Sequence, residues 1–361
     1  MNELVSVLMC VHNTAVDYLQ EAIDSILDQN YTPIEFIIIN DSSDDILCLD
    51  CLTLYASKYD CIKLVHNDVN QGLTKSLNIG LEYCKGQYIA RMDSDDISLP
   101  DRISKQADYL RTHRDVALVG SNVICFGSGM EDRDTSIEPD VCADYEIYRI
   151  QSLLKHSGPP HPSFMFRADF LSDKGIKYRE DIRKAQDYGI MADILKSGGK
   201  IDKIHEPLLR YRIHDKQIST SSEKEQKIYQ LRISYDYIRS VFCNLSNKEC
   251  LALSLLGCDL DIEEICNSIE KDRYLNNCFC DFSVDMDSLK RKELYIEAQK
   301  KAIAINKQQR LFDDNKLQNV FRYEWWKKAL HTSPKDGKAW ILNAYTLLSY
   351  RYVIQRKRNG F

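Results

Sequence analysis

An apolar run that leads directly into an acidic loop stands out in the first hundred residues. It reads Tyr88-Ile89-Ala90-Arg91-Met92-Asp93-Ser94-Asp95-Asp96. Three more strand-like runs precede it, at residues 5–11, 34–39 and 62–65, and each also ends at polar, turn-forming residues. Stretches with helical spacing separate the four runs, so strand and helix alternate as in βαβ units. This pattern predicts an α/β fold with a mainly parallel central sheet flanked by helices.

The rest of the chain follows two other patterns. The middle of the chain, residues 101–220, has a mixed pattern. We expect strands there at 116–119 and 163–166, a loop at 127–139 and a helix at 185–196. From about residue 222 onward the spacing of apolar residues is helical. We therefore predict two halves of one α/β domain, residues 1–100 and 101–220, followed by a helical C-terminal region, residues 221–361.

Composition excludes several classes of protein. Of the 361 residues 44% are apolar, which is typical of a globular protein and excludes wholesale disorder. The net charge of −6 argues against a nucleic-acid partner bound through a broad basic surface. No apolar run approaches the roughly 18 residues of a membrane span, and Met1-Asn2-Glu3 does not resemble a signal peptide. We expect a cytoplasmic chain, whose 13 scattered cysteines are reduced thiols.

The last seventy residues are rich in basic and aromatic side chains. The residues concerned are Trp325, Trp326, Trp340, Tyr345, Tyr350, Tyr352 and Arg356-Lys357-Arg358. One interpretation is a helix that lies on a membrane surface, which predicts peripheral contact with the inner face of the plasma membrane. The other interpretation is a solvated helical tail whose aromatic side chains pack on the body of the protein.

The acidic loop after the fourth strand has the composition of a metal site. In parallel α/β sheets, ligands bind beyond the carboxyl ends of the strands, and Asp93 and Asp95 follow such an end. Carboxylates two residues apart can face one hard cation such as Mg²⁺ or Mn²⁺, which prefers oxygen ligands. A cation held there can bridge a nucleotide diphosphate and neutralise charge on a departing diphosphate. The alternative is a solvated acidic turn with no ligand.

Four motifs that occur in a fixed order extend this interpretation. They are Ser6-Val7-Leu8-Met9-Cys10-Val11-His12-Asn13, then Ile38-Ile39-Asn40-Asp41-Ser42-Ser43-Asp44, then Asn70-Gln71-Gly72 with Leu77-Asn78-Ile79-Gly80, and finally the segment from Ala90 to Arg102. Together they resemble the family 2 glycosyltransferases over about residues 4–220. The resemblance implies the Rossmann-like GT-A fold, inverting and metal-dependent chemistry, and a nucleotide-diphosphate sugar donor. The acidic motif is similar to that of members that build bacterial capsule and O-antigen.

The resemblance also implies roles for residues of the nucleotide-binding half. Asp41 would accept hydrogen bonds from a uracil base, Asp93 would contact the ribose and diphosphate, and Asp95 would bind the metal. Lys75 would face the diphosphate in place of an arginine that many members carry where this chain has Leu77. The other expected nucleotide-binding residues are Cys10, Val11, His12, Asn13, Arg91 and Ser94.

The catalytic base is expected in the second half of the domain. Lys184-Ala185-Gln186-Asp187-Tyr188-Gly189 resembles the family's Glu-Asp pair, which implies Asp187 as the base and places Gln186 where glutamate is usual. Removing a proton from the acceptor hydroxyl as the diphosphate leaves inverts the anomeric carbon, so an α-linked donor yields a β-linkage. His161 and Gln186 would line the acceptor site, and His214 would reach the metal, which favours Mn²⁺ over Mg²⁺.

The sequence therefore predicts a glycosyltransferase that uses a UDP-sugar and a saccharide acceptor, the acceptor being linked to a lipid diphosphate. A nucleotidyltransferase is one alternative, although residues 8–20 contain no Gly, Lys or Arg for a phosphate loop. A processive synthase would need membrane spans and a Gln-x-x-Arg-Trp motif. A catalytically silent carbohydrate-binding or scaffold protein with the same fold is the alternative from another class.

Overall fold

Four parallel strands and the helices between them begin the fold. The computed structural model describes residues 2–41, 45–127, 129–135, 143–214, 223–258, 264–265, 267 and 292–332. The first elements are β1 (Val5–Val11), α1 (Val16–Leu27), β2 (Ile34–Asn40), α2 (Ile46–Lys58), β3 (Ile62–His66), α3 (Leu73–Tyr83) and β4 (Tyr88–Asp93). In these strands β1 pairs in parallel with both β2 and β4, and β2 pairs with β3. The alternation predicted from the sequence is thus present.

The sheet continues beyond β4 with short and antiparallel strands. The elements are β5 (Ile97–Ser98), α4 (Arg102–Thr112), β6 (Val116–Phe126), β7 (Arg133–Asp134), a 3₁₀ turn (His161–Ser163), β8 (Met165–Arg167), α6 (Ala168–Lys174), α7 (Gln186–Lys196) and β9 (Lys200–Arg212). The described residues form a nine-stranded sheet of order β3-β2-β1-β4-β8-β6-β9-β5, with β7 paired to β6. β8 is antiparallel to β4 and β6, whereas β6 and β9 are parallel. The predicted fold class is confirmed, as a mixed sheet.

Burial explains why the first strands form. β1 and β2 are fully buried over most of their length because helices cover the sheet, so both strands are nearly continuous in apolar residues. Helix α1 buries one stripe, formed by Leu19, Ala22, Ile23 and Ile26. These residues belong to one apolar core with β1, β2 and β4. The core therefore fixes where the ends of β1, β2 and β4 lie.

Three local predictions in the middle of the chain need correction. The strand expected at 116–119 is longer and extends to Phe126 as β6. Residues 161–163 form a 3₁₀ turn and only Met165–Arg167 a strand, because Pro162 follows His161 and favours the turn. The expected loop at 127–139 contains the two-residue strand β7, and residues 128 and 136–139 lie outside the described part of the chain.

The chain divides into two compact units. The first comprises residues 1–143 and 158–223 and contains the whole sheet. The second comprises residues 144–157 and 224–361, and its described helices are α5 (Tyr145–Leu154), α8 (Glu223–Val241), α9 (Asn247–Leu256), α10 (Lys292–Gln309) and α11 (Asp314–Thr332). In this unit α9 packs against α5, α10 and α11. The predicted helical C-terminal region is present, and the proposed split of the domain at residue 100 stays a prediction.

Two further expectations concern membranes and thiols. Among the helices in the described ranges, none is both long and apolar enough to cross a bilayer. The Trp325 ring packs on Tyr295, with 5.5 Å between ring centroids. The rest of the basic aromatic tail, from residue 333 onward, lies outside the described residues. Cys48 and Cys51, the only Cys-x-x-Cys pair in the sequence, carry free thiols.

Candidate active site

The candidate site lies where β1, β2 and β4 end. Register aligns Val11 with Asn40 across β1 and β2, and Cys10 with Asp93 across β1 and β4. The loops that follow these strands therefore begin side by side at one edge of the sheet. Burial of Cys10 raises the pKa of its thiol, and the charges of Asp93 and Asp41 act on it in the same direction against that of Arg91. Both carboxylates are thus near the end of β1.

Three carboxylates after β4 form a cluster. Asp93, Asp95 and Asp96 each offer one oxygen, and these oxygens lie within 4.8 Å of one another. Both oxygens of Asp93 are bound by the two terminal nitrogens of Arg91. Nε2 of His214 lies 2.9 Å from Oδ2 of Asp95. The structure therefore brings Asp93, Asp95 and His214 together, as the sequence predicts for a metal site.

Asp96 is the fully buried member of the cluster. Its Oδ1 accepts a hydrogen bond of 2.8 Å from the backbone N–H of Arg212, whereas its Oδ2 is buried with no hydrogen-bond partner among the described residues. Burial raises the pKa of Asp96 well above its usual range, and the charges of Asp93 and Asp95 add to this. Burial also raises the pKa of Asp93, against the effect of Arg91. A cation at this position would relieve the repulsion among the carboxylates, so the residues fit a divalent metal ion.

Arg212, at the end of β9, holds the acidic loop in place, a role that the sequence analysis did not identify. Its Nε donates to the backbone oxygen of Asp95 at 2.7 Å, and a terminal nitrogen pairs with Glu21. The guanidinium carbon lies 4.0 Å from the ring centroid of Tyr18 and 4.5 Å from that of Phe126. Arg212 thus fixes the backbone between Asp95 and Asp96. The only signal in the sequence was its place two residues before His214.

Asp41, after β2, organises the loop that leads from β3 to α3. Its Oδ1 accepts hydrogen bonds from Nδ2 of Asn67 and the N–H of Gln71, and its Oδ2 accepts one from the N–H of Gly72, each at 2.8 Å. The carboxylate is 3% exposed. Gly72 has a φ of +79°, a conformation that glycine adopts without strain. Asp41 therefore shapes the loop between β3 and α3. Direct contact of Asp41 with a base stays a prediction.

Of the remaining residues expected to bind nucleotide, His12, Asn13 and Ser94 have contacts at this edge. Nδ1 of His12 is 3.0 Å from the backbone oxygen of Asp41, and the side chain of Asn13 is 3.2 Å from Nε2 of His12. Ser94 is buried, and its hydroxyl lies 2.6 Å from that of Thr14. Val11 is buried in the core, so only its backbone faces the loop region. Lys75 is exposed on α3.

The expected catalytic base begins a helix in the same unit. Asp187 is half-buried in the first turn of α7, where the helix dipole favours a carboxylate. The residue before α7, Ala185, has a φ of +59°, which turns the chain sharply into the helix. The side chain of Gln186 donates to the backbone oxygen of Arg183, so it is engaged in the turn. Placement of Asp187 beside an acceptor hydroxyl stays a prediction.

Tyr178, for which the sequence predicted no role, contacts His161 of the expected acceptor site. Its hydroxyl is 2.8 Å from Nε2 of His161, and it is only 2% exposed. Burial raises the pKa of this phenol, and the charges of Asp187 and Asp93 act in the same direction. Asn78 on α3 holds the backbone of Tyr178 through two hydrogen bonds of 2.8 and 2.9 Å. Tyr178 therefore holds His161, and its phenol feels the charges of both Asp93 and Asp187.

Comparison with known proteins agrees with this arrangement. The family model described as glycosyl transferase family 2 matches residues 6–173. An uncharacterized glycosyltransferase of Methanocaldococcus jannaschii is 32% identical over 227 residues, which are 63% of this chain and 76% of that protein. The O-antigen biosynthesis glycosyltransferase WbnJ of Escherichia coli is 32% identical over 224 residues, 61% of this chain and 84% of that protein.

A solved structure has a similar fold. The S. aureus TarS fragment 1–349 in complex with UDP-GlcNAc superposes with a TM-score of 0.56 and 18% sequence identity. The match covers 93% of this chain and 92% of the TarS chain. At this identity the likeness supports the GT-A-like fold alone, whereas the identity to the curated relatives supports membership. The chain belongs to glycosyltransferase family 2.

Proposed function

We propose that this glycosyltransferase is inverting and metal-dependent, and that it moves a sugar from a UDP-sugar to a saccharide acceptor to form a β-linkage. The observation that carries the proposal is the cluster of three carboxylates at the edge of the sheet, of which Asp96 is fully buried. Asp93 of this cluster aligns with Cys10 near the end of β1, and the neighbouring strand β2 leads to Asp41. The charges of Asp93 and Asp187 both act on Tyr178. A metal ion that binds the donor diphosphate needs the carboxylates of the acidic loop as ligands. Activation of the acceptor hydroxyl needs a second carboxylate as a base, which is Asp187 in this proposal.

Asp93, Asp95 and His214 would hold a Mn²⁺ or Mg²⁺ ion. The unpartnered buried oxygen of Asp96 supports a cation here, because an unpaired buried carboxylate oxygen is costly. When bound, the ion would neutralise the donor diphosphate and stabilise the charge that develops as it departs. Arg212 fixes the loop that carries the carboxylates, so they are oriented before the donor arrives.

The residues at the ends of β1 and β2 would bind the nucleotide. Asp41 holds the loop from Asn67 to Gly72, and His12 lies against the backbone of Asp41. Asp41 therefore joins the loop after β1 to the loop before α3. A UDP-sugar donor is supported by the TarS complex with UDP-GlcNAc, whose fold this chain shares. A role in surface polysaccharide synthesis is supported by the similarity to the O-antigen biosynthesis glycosyltransferase WbnJ. The proposed acceptor is a saccharide linked to a lipid diphosphate.

Asp187 would act as the general base. A half-buried carboxylate in the first turn of a helix, where the dipole favours negative charge, can accept the proton of an acceptor hydroxyl. The hydroxyl oxygen would then attack the anomeric carbon from the side opposite the diphosphate, which inverts the configuration. His161, held by Tyr178, would contact the acceptor saccharide. Attachment to a membrane through the C-terminal tail remains a proposal about residues outside the described part of the chain.

The test measures UDP released from a panel of UDP-sugars, with Mn²⁺ and then with excess EDTA. We expect release with Mn²⁺ and none with EDTA. Asp187→Asn should lower kcat by about 10²- to 10⁴-fold and leave UDP affinity unchanged. Asp193→Asn, on the same helix and paired with exposed Lys196, is the matched control and should be unaffected. Release that persists in EDTA, or full activity of Asp187→Asn, would contradict the proposal.

A further inference from the structure

Arg91 forms an ion pair with Asp93, one of the proposed metal ligands. Its two terminal nitrogens bind the two oxygens of Asp93, so this ion pair takes both ligand atoms of that residue. Oδ1 of Asp95 and Oδ2 of Asp96 have no such partner among the described residues. Of the three carboxylates, Asp93 is thus the one already matched by a charge within the protein. A cation bound through Asp93 has to compete with Arg91.

Among the described residues, the side chain of Arg91 forms hydrogen bonds only with Asp93. Its backbone is fixed on both sides, because its N–H donates to Phe164 at 2.8 Å and its carbonyl accepts from Arg102 at 2.6 Å. The guanidinium Nε is buried and has no hydrogen-bond partner in the described part of the chain. The guanidinium, which is buried, therefore has its bonds to Asp93 to exchange, and the strand that carries the acidic loop is held by separate backbone bonds. Its unsatisfied Nε favours a second acceptor.

We infer that Arg91 exchanges partners when cation and donor bind: the cation takes over the oxygens of Asp93, and the released guanidinium binds the diphosphate. This inference rests on the proposed function, which places the cation at the acidic loop. Arginine suits the exchange because its planar fork matches both a carboxylate and a diphosphate. Arg91 thereby links two binding events, since the cation frees the group that the diphosphate uses.

The exchange predicts effects of opposite sign on two affinities. Without the guanidinium, Mn²⁺ alone meets no competitor at Asp93 and should bind about tenfold more tightly, within the usual range of coupling between sites. UDP loses the guanidinium that binds its diphosphate, so its affinity at saturating Mn²⁺ should fall about tenfold. A residue that merely supports the loop would weaken both ligands together. The two signs therefore distinguish the exchange from a structural role.

Calorimetric titration tests this with the full chain, using Mn²⁺ alone and then UDP with Mn²⁺ present. Arg91→Met removes the charge, and Arg91→Lys keeps it but lacks the fork, so the second should shift both affinities less and in the same directions. Arg167→Met is the matched control: this arginine is on the neighbouring strand β8 and donates to backbone carbonyls of Leu110 and Val116. It should change neither affinity.

The outcomes separate the inference from the proposed function. If Asp95→Asn leaves Mn²⁺ binding as in the wild-type chain, the cation site itself is wrong. If Asp95→Asn abolishes Mn²⁺ binding but neither Arg91 variant tightens it, the exchange is wrong and the proposed function stands. Should Arg91→Met fail to fold, the Arg91→Lys titrations decide alone, because unchanged or uniformly weaker binding overturns the exchange.

Discussion

Arg212 shows how one side chain can orient a catalytic loop without touching substrate. Its guanidinium lies between the rings of Tyr18 and Phe126, bonds to the backbone of Asp95 and pairs with Glu21. Lysine has a single ammonium group and cannot make the planar contacts and the directed Nε bond together. The orientation of the metal-binding carboxylates therefore depends on an arginine at this position.

We expect Arg212→Lys to weaken Mn²⁺ binding by about 10- to 100-fold, the usual effect of removing a group that orients metal ligands. Titration calorimetry with Mn²⁺ alone measures this. Arg210→Lys is a close control, because Arg210 lies on the same strand, stacks on Phe126 at 4.2 Å and pairs with exposed Asp132. Equal losses in both variants, or none in Arg212→Lys, would show that Arg212 does not position the loop.

The sequence could predict the carboxylates of the site but not the residues that hold them. Asp41, Asp93 and Asp95 each follow a strand, and strand ends can be read from local patterns of apolar residues. Arg212 and Tyr178 make their decisive bonds to residues about a hundred positions away in the chain. No local pattern encodes such a contact, which arises only when the sheet brings distant segments together.

Among the elements, helix α9 has a complete capping box. Ser246 and Glu249 bond reciprocally, and Lys301 on α10 lies 2.9 Å from the Glu249 carboxylate. Burial acts to raise the pKa of Glu249, but the bonds from Ser246 and Lys301 lower it on balance. A carboxyl whose pKa is lowered on folding stabilises the folded state above its unfolded pKa, near 4.3, and loses this contribution as the pH falls through the folded pKa.

Glu249→Gln keeps the side-chain oxygen of the capping box but removes its charge. It should therefore lower the free energy of unfolding by about 0.5–1 kcal/mol at pH 7, through weaker bonds to Ser246 and Lys301. The difference from the wild-type chain should shrink as the pH falls below about 4, where the wild-type carboxyl also becomes neutral. Urea denaturation followed by circular dichroism at several pH values measures it. A difference that stays constant down to the lowest pH would mean that the charge of Glu249 contributes nothing.

Strands that are buried on both faces could be predicted from the sequence, whereas short or irregularly buried strands could not. β1 and β2 are buried on both faces and read as continuous apolar runs. β9, which carries Arg212, was not predicted because its thirteen residues alternate irregularly between buried and exposed positions and include Pro207. β5 and β7 have only two residues each, too few for any periodic pattern. The missed strands are those that position the second half of the site.

At the scale of the whole molecule, every candidate site residue lies in the first unit, although the chain of that unit is interrupted. Residues 144–157, which include α5, belong with the C-terminal helices. In the second unit α5 packs against α9 and α11, and Leu153 accepts a hydrogen bond of 2.6 Å from Ser234 on α8. Nothing in the local sequence of α5 distinguishes it from a helix of the sheet domain, because its partners are 80 or more residues away.

This division predicts that nucleotide binding needs only the first unit. In a chain that ends at residue 223, with residues 144–157 replaced by a Gly/Ser linker, UDP should bind in the presence of Mn²⁺ within about twofold of the full chain, since every candidate site residue belongs to the first unit. The same truncation with α5 retained should aggregate, because the buried side chains Tyr148, Ile150 and Leu153 lose the helices that cover them. Calorimetry and size-exclusion chromatography measure the two outcomes. A linker chain that is folded by circular dichroism but does not bind UDP would show that the helical unit contributes to the nucleotide site.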